Sequence, residues 1–333
     1  MILNNANDIR RDKDRLELWN VVPLDTPFLV NIDPTNLCNA KCIFCPTGFK
    51  NISTLRSQGM MSWEVYIKII DGLTQFKNKI KQFTFYKDGE PLLHPKFIDM
   101  VKYIKDTDIA EKIWVKTNGL RLCPDLNTKL VESGLDLISI SLKHVNSEGF
   151  TNIAKVHIDY NHLLKNIQDL YKRKNNVLIY VGIVDVGLTD ADKQKFYDDF
   201  RYISDYCVVE DLHGWSYTEH INWKLDEKTT YNGNDIVDKI VCPLVLHSMS
   251  FNWDGSVSIC NEDWAWKTII GNINSQTVQE IWNGQERLNF INMHLDNRRC
   301  ENLACKNCHY IKVLPDNVDK YRTQMLEKIN ANR

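Results

Sequence analysis

The sequence predicts an α/β fold: a partial, TIM-like (β/α)6 barrel followed by a small, Cys-rich α+β extension. Three observations carry this. Six short β-rich runs alternate with helix-period segments from Phe28 to about Leu212, and such alternation builds a parallel sheet with helical crossovers. The pattern changes after about Asp226, where KTTYNGNDI reads as a turn-rich linker. The cysteines gather into an early set and a late set, and the long stretch between them holds only Cys123 and Cys207.

The strands expected in order are Phe28–Ile32, Gln82–Tyr86, Lys112–Thr117, Leu137–Leu142, Val177–Asp185 and Tyr206–Leu212. Helices are expected between them at Trp63–Phe76, Pro95–Lys105, Leu126–Ser133, Asn161–Tyr171 and Asp192–Ile203. Ser62 suits an N-cap and Pro95 a first helical position. Beyond the linker, Met249–Trp253 and Val257–Ile259 flank Asp254-Gly255, a hairpin signal. Helices follow at Val278–Trp282 and Glu286–Met293. The organisation expected is an N-terminal segment (1–27), a barrel (28–225) and an extension (226–333).

The 41 Lys+Arg against 43 Asp+Glu leave a formal charge of -2. That balance gives no reason to expect a nucleic-acid partner. The longest apolar runs, such as Ile240–Leu246, fall far short of the ~20 residues a membrane helix needs. The N-terminus has no apolar h-region, so no secretory signal is visible. A cytoplasmic protein is expected, and a reducing compartment turns ten cysteines toward metal or catalytic use.

In parallel βα barrels the site is built from loops after the C-terminal ends of strands. Strand one leads into Cys38, Cys42 and Cys45; strand two into Asp88-Gly89-Glu90-Pro91; strand three into Thr117-Asn118-Gly119. Strand four holds Ser139 and Ser141, and strand six runs through Glu210 and Asp211 to His213 and Trp215. Three thiols in eight residues suit iron–sulfur or zinc ligation. With no fourth Cys or His nearby, one metal position stays open, as a catalytic site requires. Chance loop thiols are the bland alternative. Glu210 and His213 are candidate proton acceptors or substrate contacts, although a packed histidine or solvated rim charge explains them too. Cys207 either faces the lumen as a hydrogen donor or is a buried thiol. Cys123 reads as a small buried hydrophobe. Asp263, Trp264 and Trp266 form either a substrate wall or an apolar cover.

Cys38-x3-Cys42-x2-Cys45, with Phe44 before the last cysteine, resembles the signature of the radical S-adenosylmethionine (SAM) superfamily. The resemblance implies a [4Fe–4S] cluster on these three thiolates, with SAM on the open iron, split to a 5′-deoxyadenosyl radical that abstracts a substrate hydrogen. Asp88-Gly89-Glu90-Pro91 resembles the family's Gly-Gly-Glu-Pro stretch, which contacts SAM; Asp88 departs from the usual Gly. Asn118, Ser139 and Ser141 fall in the polar stretches after strand three and along strand four that serve the same cofactor. The resemblance covers about Phe28–Leu212.

The late cysteines are a second line. Cys242-x12-Gly255-x4-Cys260, then Cys300-x4-Cys305-x2-Cys308, resembles a SPASM/twitch extension, which carries auxiliary [4Fe–4S] clusters. Cys242, Cys260, Cys305 and Cys308 make a complete shell for one such cluster, with Cys300 spare or an alternative ligand. Structural zinc on the same four thiols is the competing reading. Two clusters and SAM are therefore expected. The activity implied is dehydrogenation of a sugar-like small molecule with the auxiliary cluster as electron acceptor; the reductant implied is a flavodoxin or ferredoxin. The alternatives are epimerisation or maturation of a sugar or ribosomal peptide, and a non-catalytic electron carrier.

Overall fold

A computed structural model describes residues 16–49, 52–212, 229–230 and 234–331. Among them, nine strands form one sheet: β1 (Leu29–Ile32), β2 (Gln82–Phe85), β3 (Ile113–Thr117), β4 (Leu137–Leu142), β5 (Leu178–Val184), β6 (Tyr206–Glu210), β7 (Ser248–Phe251), β8 (Ser256–Ser258) and β9 (Ile269–Asn272). Their order is β6-β5-β4-β3-β2-β1-β7-β8-β9. The first six are parallel neighbours in sequence order, joined by helices that include Trp63–Leu73, Phe97–Thr107, Pro124–Glu132, Tyr160–Arg173 and Asp190–Phe200. The sheet does not close, so the barrel is partial.

Side-chain alternation makes this sheet two-faced. Ile138, Ile140 and Leu142 sit opposite Ile179, Val181 and Ile183, and all six are buried in the main core. The other face carries Asn31, Thr84, Lys116, Ser139, Ser141, Tyr180 and Glu210, aligned strand to strand by the parallel register. An apolar layer against the helices and a polar lumen follow directly from the period of two.

Local signals operate where expected, with two shifts. Ser62 accepts from Val65 N and caps Trp63–Leu73, which buries Tyr66, Ile69, Ile70 and Leu73. Pro95 does not begin a helix. A short 3-10 turn at Pro91–Leu93 comes first and the helix starts at Phe97, with Leu92 packed inward. Cys123 is exposed rather than buried, because it precedes Pro124 at a helix start instead of lying within an element.

The extension does not stand apart. β7 pairs in parallel with β1, and the Asp254-Gly255 turn returns the chain into β8. Gly255 has φ 86, the left-handed region that favours glycine. The helix Val278–Trp282 lies on the first barrel helix: Gln279 donates to Gly72 O at 2.6 Å, and a Cβ on Gly72 would meet Val278 Cγ2 at 2.4 Å. The early segment packs against the late one, with Trp19 stacked on Tyr321 at 3.9 Å. The expected division at residue 225 lies outside the described residues. No helix is long and apolar enough to cross a membrane among those described.

Candidate functional site

The loop after β1 is held from three sides. Asn36 donates to Ser57 O at 2.8 Å and accepts from Gly59 N at 2.9 Å. Lys41 N and Ile43 N donate to Ala154 O and Ile153 O, which fixes the loop on the helix Ser147–Ala154, an element the periodicity did not single out. Glu90 N donates to Leu37 O at 2.9 Å. Gly89 is required here: a Cβ would lie 1.9 Å from Thr35 O and 2.6 Å from Leu37 O. Gly89→Ala should therefore cost about 1–3 kcal/mol by overpacking and push the turn off the thiol loop. Thermal unfolding together with iron retention checks this; an unchanged melt with full iron would show the turn to be tolerant.

Glu90 is the hub that joins this turn to β3. Its carboxylate accepts from Thr117 Oγ1 at 2.6 Å, Asn118 N at 2.6 Å and Leu92 N at 3.0 Å. Burial pushes its pKa up, and those hydrogen bonds pull it back. Asn118 in turn donates to Asn39 Oδ1 at 2.7 Å and approaches Cys38 Sγ at 3.7 Å. Cys38, Cys42 and Cys45 influence one another electrostatically, and burial raises all three thiols, Cys42 to about 12. Lys143 acts on all three in the opposite sense. Its ammonium donates to Ser141 Oγ at 2.7 Å and lies 5.7 Å above the Phe44 ring, itself buried. Sequence reading missed Lys143, although it continues the Ser139, Ser141 face of β4 by one more step of two. Ser139 lies one such step below the rim, opposite Tyr180.

On the same face Tyr180 donates to Glu210 Oε1 at 2.5 Å, and the Tyr180 and Tyr206 rings lie 6.4 Å apart. A Cβ on Gly182 would come within 2.8 Å of Tyr180 and 3.1 Å of Glu210, so glycine makes room for that pair. Cys207 is not with them. It pairs in register with Val181 on the helix-packed face, and burial raises its thiol to about 12. The lumen position considered for Cys207 is thereby corrected: one residue along a strand reverses the face. His213 and Trp215 lie outside the described residues.

The late thiols converge although Cys242, Cys260 and the Cys305/Cys308 pair come from three separate segments. Ile240 N and Val241 N donate to Asp319 at 2.9 Å, and buried Lys239 donates to Lys312 O and Leu314 O at 2.8 Å, which draws Cys242 toward Cys308. Asn302 donates to Lys267 O at 2.8 Å and ties the Cys305 turn to the loop after Cys260. Cys260 is raised well above its ordinary value by burial and then by Cys242, Cys308 and Cys305. Cys242 and Cys308 rise to about 12 and about 11, and Arg299 pulls both down. Cys300 is exposed and outside this group. Among the described residues no three acidic, His or Cys groups are close enough for a single metal ion. A four-iron cubane spreads its thiolates over four metal atoms, so four half-buried, mutually interacting thiols suit it. Trp264 is a packed cover, edge-on to Phe49 at 5.5 Å, rather than an open wall.

The family model for the radical SAM superfamily matches residues 32–200, and that of an iron–sulfur cluster-binding (SPASM) domain matches 242–309. A tungsten-containing aldehyde ferredoxin oxidoreductase cofactor-modifying protein of Pyrococcus furiosus is 32% identical over 111 residues, 33% of this chain and 29% of that protein. A GTP 3′,8-cyclase of Limosilactobacillus fermentum is 29% identical over 193 residues, 56% of each. The chain thus spans about half or less of the length of these relatives. Among solved structures, BtrN in complex with AdoMet and 2-DOIA has a TM-score of 0.54 at 19% identity, covering 85% of this chain and 92% of that one. AnSMEcpe with bound AdoMet has 0.60 at 16%, covering 92% and 98%. Streptococcus suis SuiB bound to precursor peptide SuiA has 0.59 at 14%, covering 93% and 75%. These structural likenesses establish the fold.

Proposed function

The chain belongs to the radical SAM superfamily and ends in a SPASM-type extension, its cofactors are SAM and [4Fe–4S] clusters, and from that premise we propose that it dehydrogenates a carbon of a sugar-like small molecule. Cys38, Cys42 and Cys45 would hold the SAM-binding cluster, and Cys242, Cys260, Cys305 and Cys308 the auxiliary one. When bound, these groups supply a hydrogen-abstracting 5′-deoxyadenosyl radical and an acceptor for the electron that the substrate carbon must lose. The observation that carries the reading is the second set of four half-buried thiols, which as a full ligand shell would leave no position for substrate and suits electron transfer.

The chain's own residues supply the rest. An alcohol carbon that becomes a carbonyl gives up a hydrogen atom, an electron and a proton. Glu210 takes the proton from the hydroxyl, and Tyr180 aims its carboxylate into the lumen. Lys143 offers a cation at the rim for an anionic group beside the thiol loop. Asn118 and Glu90 hold the turn that faces it. Asn31, Ser139 and Lys116 give the lumen the hydroxyl, amide and ammonium groups that bind a polyol. BtrN, of the same fold, binds 2-DOIA, which makes 2-DOIA and related polyols the first probes. A peptide substrate is the second reading, since SuiB, with the higher TM-score, is bound to a precursor peptide.

Turnover in heavy water separates oxidation from epimerisation. Oxidation leaves no solvent deuterium fixed at the reacting carbon. Cys207→Ala should still turn over, because its thiol faces the helices. Glu210→Gln should lose roughly 10²- to 10⁴-fold, the range of a positioned proton acceptor. Deuterium retained at that carbon and lost with a single Cys→Ala change would establish an epimerase instead.

A further inference from the structure

A buried ammonium must spend all its protons on good acceptors or it destabilises its surroundings. Lys87 does so across three segments. Its side chain is 0% exposed, and Nζ donates to Asp88 Oδ2 at 3.0 Å, Asn252 Oδ1 at 2.8 Å and Asp263 O at 2.9 Å. The first acceptor lies in the turn after β2, the second just beyond β7, and the third in the loop that leaves Cys260. Arg56, from the chain beyond the early thiols, is buried against the same Asp88 carboxylate. Asp33 completes the group by accepting from Asp88 N and Gly89 N at 3.3 and 3.4 Å.

The placement explains why Asp88 stands where the resembled motif has Gly. A glycine would remove the carboxylate that buried Lys87 and Arg56 share. It also puts one ion pair between the two thiol sets. On one side the turn that carries Asp88 is bonded through Glu90 N to Leu37 O, the residue before Cys38. On the other, Lys87 donates to Asp263 O, three residues past Cys260. Reduction potentials of thiolate-held clusters follow the net charge and hydrogen bonds around them.

We propose that Lys87 is a positioning residue that clamps the auxiliary-cluster loop to the SAM-facing turn, and that its buried charge sets how readily the second cluster is reduced. This rests on the auxiliary-cluster reading above. Without Lys87 this buried group loses one positive charge, leaving Arg56 on Asp88 and Lys116 as the cation acting on Glu262. The second cluster then becomes harder to reduce.

The test uses the full chain, reconstituted anaerobically, in a Cys38/Cys42/Cys45→Ala background where the second cluster is the remaining one. Lys87→Met is expected to keep that cluster's iron while its midpoint potential moves to more negative values and its reduced-state EPR spectrum changes. Lys87→Gln, which retains a polar donor without charge and stands in should the Met variant fail to fold, shifts the same way. Lys87→Arg, which keeps the charge, stays near the parent. An unchanged midpoint and spectrum in the neutral variants, or an equal shift in Lys87→Arg, overturns the proposal. Absence of iron from the parent background overturns the auxiliary-cluster reading itself, a result distinct from either.

Discussion

Replacing Cys38, Cys42 and Cys45 together by alanine should abolish reductive cleavage of SAM. The three thiols lie in one loop that Asn36, Glu90 and the helix Ser147–Ala154 hold in place, so the loop survives while the metal-binding atoms are lost. The expected loss of 5′-deoxyadenosine formation exceeds the roughly 100-fold seen when merely an outer partner of a metal ligand is removed. Dithionite-reduced, reconstituted protein incubated with SAM provides the measurement. Full 5′-deoxyadenosine formation by the triple variant would transfer cluster binding to other residues. The result is separable from substrate identity, because the cleavage proceeds without substrate turnover being scored.

Iron content should then divide in two. Two Cys-held cubanes require about eight iron atoms per chain, and the triple variant should keep about four. Alanine at Cys242, Cys260, Cys305 and Cys308 should also leave about four, now on the early loop. SAM cleavage persists in that variant, whereas oxidation of substrate is lost. Cys300→Ala should keep all the iron, since that thiol is exposed and stands outside the mutually interacting four. Zinc in the second set, or half the expected iron in the wild type, would show the late thiols to be a different site. Burial of these thiols makes them poor anions on their own. A cluster supplies the positive charge that lets them ionise, which is why metal loss and local unfolding are expected to go together.

Most of the scaffold was legible because it rests on local rules. Leu137–Leu142 is a strand with the bounds its sequence pattern predicts, and its alternation of Ile or Leu with Ser already distinguishes a core face from a lumen face. The Ser62 cap, the Asp254-Gly255 hairpin and the helix Val278–Trp282 follow from short-range chemistry and appear where expected. The spacing of Cys38, Cys42 and Cys45 is likewise local, since three thiols within two turns of chain meet whatever the fold. Pro95 does not open the helix because Pro91 after Glu90 begins a separate short turn upstream.

What the residues along the chain carry, then, is the alternation of elements, the two-faced strands and the existence of two thiol sets. Each is a property of spacing, and spacing is preserved from sequence into space over a few residues. The folded structure supplied what depends on segments that meet from afar. It joined the extension to the barrel sheet through β7 against β1, 219 residues apart at the Asn31–Ser250 hydrogen bond. It turned Cys207 toward the helices and Glu210 toward Tyr180, a choice of register that a period of two leaves open by one residue. It also brought Lys87 to Asn252 and Asp263. No local pattern marks a lysine for that role, because the stability of a buried charge is decided by partners that the chain reaches only once it has folded.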